Sequence, residues 1–236
     1  VNCDASQIII GAGNEYLLML LSQLIGRDAV IAMENPTYRQ AYRVLSGVGH
    51  KVMPVGIDKN GFCVKELNGQ DVQAAYVMPS HQFPTGIVMP VRRRQELLSW
   101  AGEEPGRYLI EDDYDSEFRY KGKPIPALQG MDQNGRVIYM GTFSKAIAPA
   151  IRVGYMVLPE SLLSVYLEKG RFYSSTVSRV DQRILANFIS GGYFERHLNL
   201  VLDEGKLVGI GKHIDLMKNC SVYQAIAKSQ MSIEEV

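Results

Sequence analysis

Cysteine is scarce in this sequence, and that scarcity excludes two classes of protein. The 236 residues contain only three cysteines, Cys3, Cys63 and Cys220, which lie far apart and form no CxxC spacing. An odd number of widely spaced cysteines argues against a disulfide framework and against a zinc site. We therefore expect no metal, and we expect a reducing, cytoplasmic location.

Net charge and long hydrophobic runs are also missing. Lys plus Arg and Asp plus Glu both number 25, so the formal net charge is zero, and no overall positive field attracts nucleic acid or an anionic membrane. The longest nearly apolar run, Tyr16 to Ile25, is about half of the ~20 residues that a membrane span needs. We expect neither DNA binding by this segment nor a transmembrane helix.

The first residues carry no targeting signal. Val1 is not an initiator Met, and VNCDASQIII has neither a basic region nor a small-residue cleavage site. We expect the sequence to begin inside a longer chain.

Strand-like and helix-like stretches alternate along most of the sequence, a pattern that predicts an α/β fold with a parallel sheet and helices on both faces. Beyond Ser161 the pattern becomes mainly helical, with an interruption at Gly191-Gly192. The predicted strands are Gln7–Ile10, Val30–Met33, Lys51–Val55, Ala74–Met78, Tyr108–Glu111, Val137–Met140 and Val153–Leu158.

Several predicted strands end at polar clusters, and ligands of open α/β sheets bind beyond the carboxyl ends of strands. Thr142-Phe143-Ser144-Lys145 follows one strand, and Arg152 lies seven residues beyond the lysine. A solvated surface lysine is the alternative, because most lysines are exposed.

The acidic cluster EDDYDSEFRY follows another strand and offers a carboxylate, Asp112, and a phenol, Tyr114, to one ligand. A protonated pyridine nitrogen needs such a carboxylate, and the phenolate oxygen of pyridoxal 5'-phosphate (PLP) needs such a donor. Asp112 precedes Lys145 by 33 residues, which fits one intervening connection and strand. A solvated loop is the alternative interpretation.

Three further clusters lie at strand ends. GAGNE, Gly11 to Glu15, permits close backbone approach before a helix whose free N–H groups suit a phosphate; a structural turn is the alternative. Tyr38 opens a helix and could lie against a flat cofactor, although an isolated Tyr is more often core or surface. PSHQFPTG adds His81, which alone is more often structural than catalytic.

In this order, GAGNE, ENPTY, PSHQFPTG, EDDYDSEFRY and GTFSKAIAPAIRVGY resemble the three-layer large domain of PLP-dependent transferases of fold type I. The specific resemblance is to the aminotransferase-like domain of MocR/GabR-type, GntR-family transcription regulators. It covers roughly Ser6 to Leu200, and its specificity rests on the order of five motifs.

The resemblance implies a role for each candidate residue. Lys145 forms the Schiff base, the internal aldimine, and is the catalytic residue. The other predicted contacts to PLP are Asp112 at the pyridine nitrogen, Tyr114 at the ring oxygen, Tyr38 on the ring face, and Thr142, Arg152 and the backbone around Gly13, Asn14 and Glu15 at the phosphate.

Three departures from the family bear on function. Phe83 stands where aminotransferases have the asparagine of Asn-Pro-Thr-Gly, which weighs against efficient transamination. Residues 1–200 are expected to form the large domain and 201–236 a divergent tail with an incomplete small domain, so the arginine that grips a substrate carboxylate is not assigned. We expect DNA to be bound only through the winged-helix domain of such regulators, which this sequence does not include.

Three functions follow from the resemblance. The leading one is a PLP-binding domain of a bacterial regulator, a homodimer that senses a small amine or amino acid. The alternatives are a genuine class I/II aminotransferase and an inactive fragment that does not hold PLP.

Overall fold

The computed structural model describes residues 1–117, 126–170, 172–203 and 206–207. The strands are β1 (Ile8–Gly11), β2 (Val30–Asn35), β3 (Lys51–Asp58), β4 (Gly61–Phe62), β5 (Ala74–Val77), β6 (Tyr108–Asp113), β7 (Val137–Thr142), β8 (Gly154–Val157), β9 (Leu202–Asp203) and β10 (Lys206–Leu207). The helices are α1 (Asn14–Ile25), α2 (Arg39–Gly47), α3 (Val91–Glu103), α4 (Leu128–Met131), α5 (Glu160–Lys169), α6 (Arg179–Ser190) and α7 (Tyr193–Val201).

Eight strands form one mostly parallel sheet in the order β1-β8-β7-β6-β5-β2-β3-β4. Five neighbouring strands of this sheet pair in parallel, namely β7, β6, β5, β2 and β3. Because β8 is antiparallel to both β7 and β1, β1 runs in the same direction as the central strands. The carboxyl ends of β1, β2, β5, β6 and β7 therefore share one edge, and the amino end of β8 joins them there.

The sheet has a hydrophobic core on each face, because successive side chains of a strand point to opposite faces. Along β2, Ile31 and Met33 belong to the first core and Ala32 to the second. Helices α1, α2 and α5 cover the first core, where Leu17 and Leu21 are fully buried. Helix α3 covers the second core with Leu97 and Trp100. This is the three-layer α/β architecture that the sequence predicts.

The predicted strands are all present, with ends shifted by a few residues. The prediction of a parallel sheet is correct for the centre and incomplete at the edges, where β1, β8 and β4 pair antiparallel. A run of β-branched residues indicates a strand but not its direction, which is set by the connections that follow it.

The chain divides into two compact units, Val1–Ser116 with Ile125–Ser178, and Glu117–Pro124 with Arg179–Val236. The first contains the eight-stranded sheet, and the second contains α6, α7 and the β9-β10 pair. Most of the predicted tail 201–236 lies outside the described residues, so the boundary at residue 200 stays a prediction. No helix of the described part of the chain is long and apolar enough to cross a membrane.

Candidate functional site

A cavity of about 530 Å³ lies at the edge of the sheet where the carboxyl ends of the parallel strands meet. All nine residues that the sequence predicts as cofactor contacts line it, although they come from five separate segments. The lining residues are Gly13, Asn14, Glu15, Tyr38, Met78, His81, Phe83, Asp112, Tyr114, Thr142, Ser144, Lys145 and Arg152.

Lys145 lies in a single helical turn that follows β7. The turn is closed by the Ile147 amide, which donates to the Phe143 carbonyl at 2.8 Å. The Lys145 amine donates to Oδ2 of Asp115 at 2.7 Å and stands 4.7 Å from the ring centroid of Tyr114. With 43% of its side chain exposed, the lysine faces the cavity while its amine is anchored at the wall.

Asp112, near the end of β6, provides a buried carboxyl group to the same cavity. Its Oδ1 accepts from Nδ2 of Asn14 at 3.2 Å, and its Oδ2 accepts from the Tyr76 hydroxyl. Burial raises the pKa of Asp112 to about 6, and the hydrogen bond from Tyr76 opposes that shift. Since a carboxylate has about four lone-pair positions, Asp112 can accept a further hydrogen bond from a cation in the cavity.

Another part of the cavity lining is built from the N-terminus of a helix and a guanidinium. Helix α1 begins at Asn14 after Gly13, whose φ of 91° favours glycine. Arg152, with a left-handed φ of 45°, precedes β8 and places Nη2 3.0 Å from Oε2 of Glu15. Thr142 adds a hydroxyl that accepts from the Ser144 amide at 3.2 Å. A helix N-terminus with an arginine beside it is suited to an anion. We call the first amides of α1, with Thr142 and Arg152, the anion cradle.

Aromatic rings form the remaining wall. Tyr38 and Phe83 meet edge to face with their centroids 6.0 Å apart. Burial, with the nearby charges of Glu15 and Asp112, raises the pKa of Tyr38, so its phenol stays neutral. A flat ligand can therefore lie against neutral aromatic surface here.

The loops that carry these two rings are joined by Gln82. The buried Gln82 amide donates to the carbonyl of Pro36 at 2.8 Å and to Oε2 of Glu34 at 3.3 Å. Its Oε1 accepts from the Thr85 amide at 3.1 Å. Burial raises the pKa of Glu34 to about 7.

The sequence alone indicates no role for Asp115 or Tyr76 and favours a structural role for His81. The structure places all three near the lysine or the buried aspartate: Asp115 binds Lys145 and His81, and Tyr76 binds Asp112. Asp115 lies within the acidic motif, but the sequence spacing does not indicate which of its acids faces inward. Tyr76 lies within a strand and carries no sequence signal.

The residues of the cavity fit PLP. A Cβ atom at Gly13 would lie 2.9 Å from Nη2 of Arg152, so the absence of a side chain there keeps the anion cradle open. The buried Asp112 carboxyl lacks a cationic partner among the described side chains that hydrogen-bond to it, and a pyridinium would supply one. The assignment of the nine residues to PLP stays a prediction.

The family model and the relatives that this chain matches point to the same group of proteins. The model of the family described as aminotransferase class I and II matches residues 1–200. The uncharacterized HTH-type transcriptional regulator YdeL of Bacillus subtilis is 44% identical over 199 residues, which are 84% of this chain and 43% of that protein. The probable rhizopine catabolism regulatory protein MocR of Rhizobium meliloti is 37% identical over 199 residues, 84% of this chain and 40% of that protein. The chain thus spans less than half the length of these relatives.

Solved structures of aminotransferases share the fold. Pyrococcus horikoshii kynurenine aminotransferase, solved in complex with PMP, superposes with a TM-score of 0.69 at 29% identity, over 81% of this chain and 50% of that chain. An archaeal alanine:glyoxylate aminotransferase gives a TM-score of 0.71 at 28% identity, over 84% of this chain and 51% of that chain.

Proposed function

The chain belongs to the aminotransferase class I and II family, and on that premise we propose that it is the PLP-binding, effector-sensing domain of a bacterial transcription regulator. PLP would be joined covalently to Lys145. The observation that carries this proposal is the convergence of an accessible lysine amine, a buried carboxyl and an anion cradle on one cavity.

Each side chain has a separate task in this proposal. Asp112 holds the proton on the pyridine nitrogen, because the side chains that hydrogen-bond to its buried carboxyl carry no positive charge and the protonated ring supplies one. Arg152, Thr142 and the first amides of α1 hold the phosphate, while Tyr114 donates to the ring oxygen and Tyr38 lies against the ring. When bound, PLP supplies an electrophilic carbon for a primary amine and a ring that withdraws electrons.

The proposed ligand is a small amine or amino acid. An amine needs only the lysine-linked cofactor to react, and the regulator role is supported by the similarity to the HTH-type transcriptional regulator YdeL and the regulatory protein MocR. We further propose that residues 1–200 act as the large domain, that the active form is a homodimer, and that DNA is bound only through a winged-helix domain outside this sequence.

Transamination is the second candidate, favoured by the 29% identity to a kynurenine aminotransferase. Phe83 opposes it, because a phenyl ring in the cavity wall cannot form the hydrogen bond that an asparagine amide would give to the cofactor and substrate. A test is to add an amino acid and then a 2-oxo acid to the PLP-loaded protein. A domain that only senses exchanges the amine and forms no new oxo acid.

The direct test of PLP attachment is reduction with borohydride followed by peptide mass spectrometry. We expect a visible absorption band with PLP and a pyridoxyl group on Lys145, both lost in Lys145→Ala and both retained in Lys169→Ala, which removes an exposed lysine of α5. A pyridoxyl group spread over surface lysines, or none at all, would reduce the conclusion to the fold and favour an inactive fragment.

A further inference from the structure

Asp115 and His81, neither of which is a proposed PLP contact, form a cluster with Lys145. Oδ2 of Asp115 accepts from the Lys145 amine at 2.7 Å and lies 2.8 Å from Nδ1 of His81. The Asp115 side chain is only 2% exposed. One buried carboxylate oxygen thus joins residues that follow β5, β6 and β7.

The amine held by Asp115 remains at the cavity. Lys145 Nζ lies 4.7 Å from the centroid of the Tyr114 ring, and the ring of His81 stacks on the same tyrosine at 6.0 Å and 19°. Tyr114 and Lys145 both line the cavity. The Asp115 carboxylate therefore holds the Lys145 amine beside the proposed reaction site. A rotation of the lysine side chain would move the amine into that site.

We propose that Asp115 is the docking carboxylate for the Lys145 amine when an incoming primary amine takes its place on PLP. This inference rests on the proposed function. In the exchange, the incoming ammonium forms a C=N bond to the cofactor carbon, the C=N bond to Lys145 breaks, and the three hydrogens of the ammonium end on the Lys145 nitrogen. The released lysine side chain is then an ammonium ion. Once it has left the cofactor carbon, it needs a partner of opposite charge.

Asp115 meets the requirements of that partner. A charge-assisted hydrogen bond of 2.7 Å is among the strong polar contacts of proteins, and burial of the carboxylate limits its screening by water. His81, on the same oxygen, holds the carboxylate in place, so it is a positioning residue. Without the Asp115 carboxylate, the Lys145 ammonium lacks this partner. The equilibrium of the exchange should then shift back toward PLP joined to Lys145.

The test is a titration of the PLP-loaded protein with methylamine, in which borohydride reduction and mass spectrometry measure the fraction of Lys145 that still carries a pyridoxyl group. In Asp115→Asn, which keeps the size of the side chain, we expect the methylamine concentration that halves this fraction to rise roughly fivefold. That estimate corresponds to a charged hydrogen bond discounted for the partial exposure of the lysine. An unchanged midpoint overturns the proposal.

Two control variants separate the lysine contact from other effects. Asp58→Asn removes a surface carboxylate that pairs with Arg93 at 2.9 Å, and it should leave the midpoint unchanged. His81→Gln keeps the carboxylate that binds Lys145 but removes the imidazole that positions it, so the midpoint should rise less than in Asp115→Asn. A rise in His81→Gln equal to that in Asp115→Asn would contradict the docking role.

Failure of the proposed function can be distinguished from failure of the docking role of Asp115. If the proposed function is wrong, the wild-type protein shows no pyridoxyl group on Lys145. If Asp115→Asn alone fails to retain PLP, acetylation by acetic anhydride without PLP replaces the titration. Lys145, measured against the exposed Lys169, should react roughly fivefold faster in Asp115→Asn, because its amine has lost the same charge-assisted contact. Equal rates in the two proteins overturn the proposal.

Discussion

Gly13 combines a backbone conformation and a close contact that can be tested separately. Its φ is 91°, and a Cβ atom there would lie 2.9 Å from Nη2 of Arg152 and 3.1 Å from Oε2 of Glu15. Gly26, at the other end of α1, has a φ of 92° and nothing within 4 Å of such a Cβ. A side chain at either glycine would therefore strain the backbone, but only a side chain at Gly13 would also collide with the anion cradle.

We expect Gly13→Ala and Gly26→Ala each to lower the free energy of unfolding by about 1–2 kcal/mol, since alanine is strained at positive φ. Only Gly13→Ala should also weaken PLP binding, by about tenfold, because it displaces a charge-assisted contact of Arg152. Urea unfolding and PLP titration measure the two effects. Equal loss of PLP affinity in both variants would mean that Arg152 and Gly13 do not form the phosphate site.

At the scale of single residues, the sequence predicted which side chains gather but not how they pair. Lys145 and Asp112 lie at the carboxyl ends of strands, Arg152 lies at the amino end of β8, and all three carry recognisable motif positions, so their meeting at one cavity could be expected. The contact between Lys145 and Asp115 could not, because the direction of each side chain depends on the turn that closes between Phe143 and Ile147.

At the scale of secondary-structure elements, the ends of β2 and β5 are tied together by a buried carboxyl group. Glu34, 1% exposed, accepts from Gln82 on the loop after β5 at 3.3 Å. Burial raises the pKa of Glu34 from 4.5 to about 7, with a further contribution from the charge of Asp112. Between these two values the folded protein retains a proton that the unfolded chain has lost.

The free energy of unfolding should therefore fall as the pH rises from 5 to 8, and Glu34→Gln should remove this part of the fall. Relative to the wild type, we expect the variant to gain about 1–3 kcal/mol between pH 5 and pH 8. Urea unfolding at the two pH values measures it, with the exposed Glu168→Gln as the control for loss of one charge. A stability difference that does not change with pH would show that Glu34 ionises normally in the fold.

Elements with strong local signals were predicted and short ones were not. β2 and β5 are runs of apolar residues that end at polar clusters, and helix α1 has apolar side chains on the face that it buries. The two-residue β4 and the four-residue α4 are too short to show a period. α4 depends instead on a distant side chain, because Glu111 accepts from the Leu128 and Gln129 amides at 2.8 and 2.9 Å.

At the scale of the whole molecule, the cavity joins segments that are far apart in sequence. Its lining runs from Gly13 to Arg152, and the strands that bring these segments together include the fully buried centre of the sheet. A ligand that contacts all of them cannot stay bound when the sheet opens. Binding of PLP should therefore stabilise the first compact unit as a whole and not only its loops.

We expect PLP at about 100 times its dissociation constant to raise the free energy of unfolding by about 2.7 kcal/mol. Hydrogen exchange at Ala75 and Ile110, in the central strands, should slow to match. Pyridoxal, which lacks the phosphate, and PLP added to Lys145→Ala, which lacks the covalent bond, should each stabilise less at the same concentration. If inorganic phosphate protected the central strands as well as PLP does, the stabilisation would come from the anion cradle alone and the ring would not be held by Asp112 and Lys145.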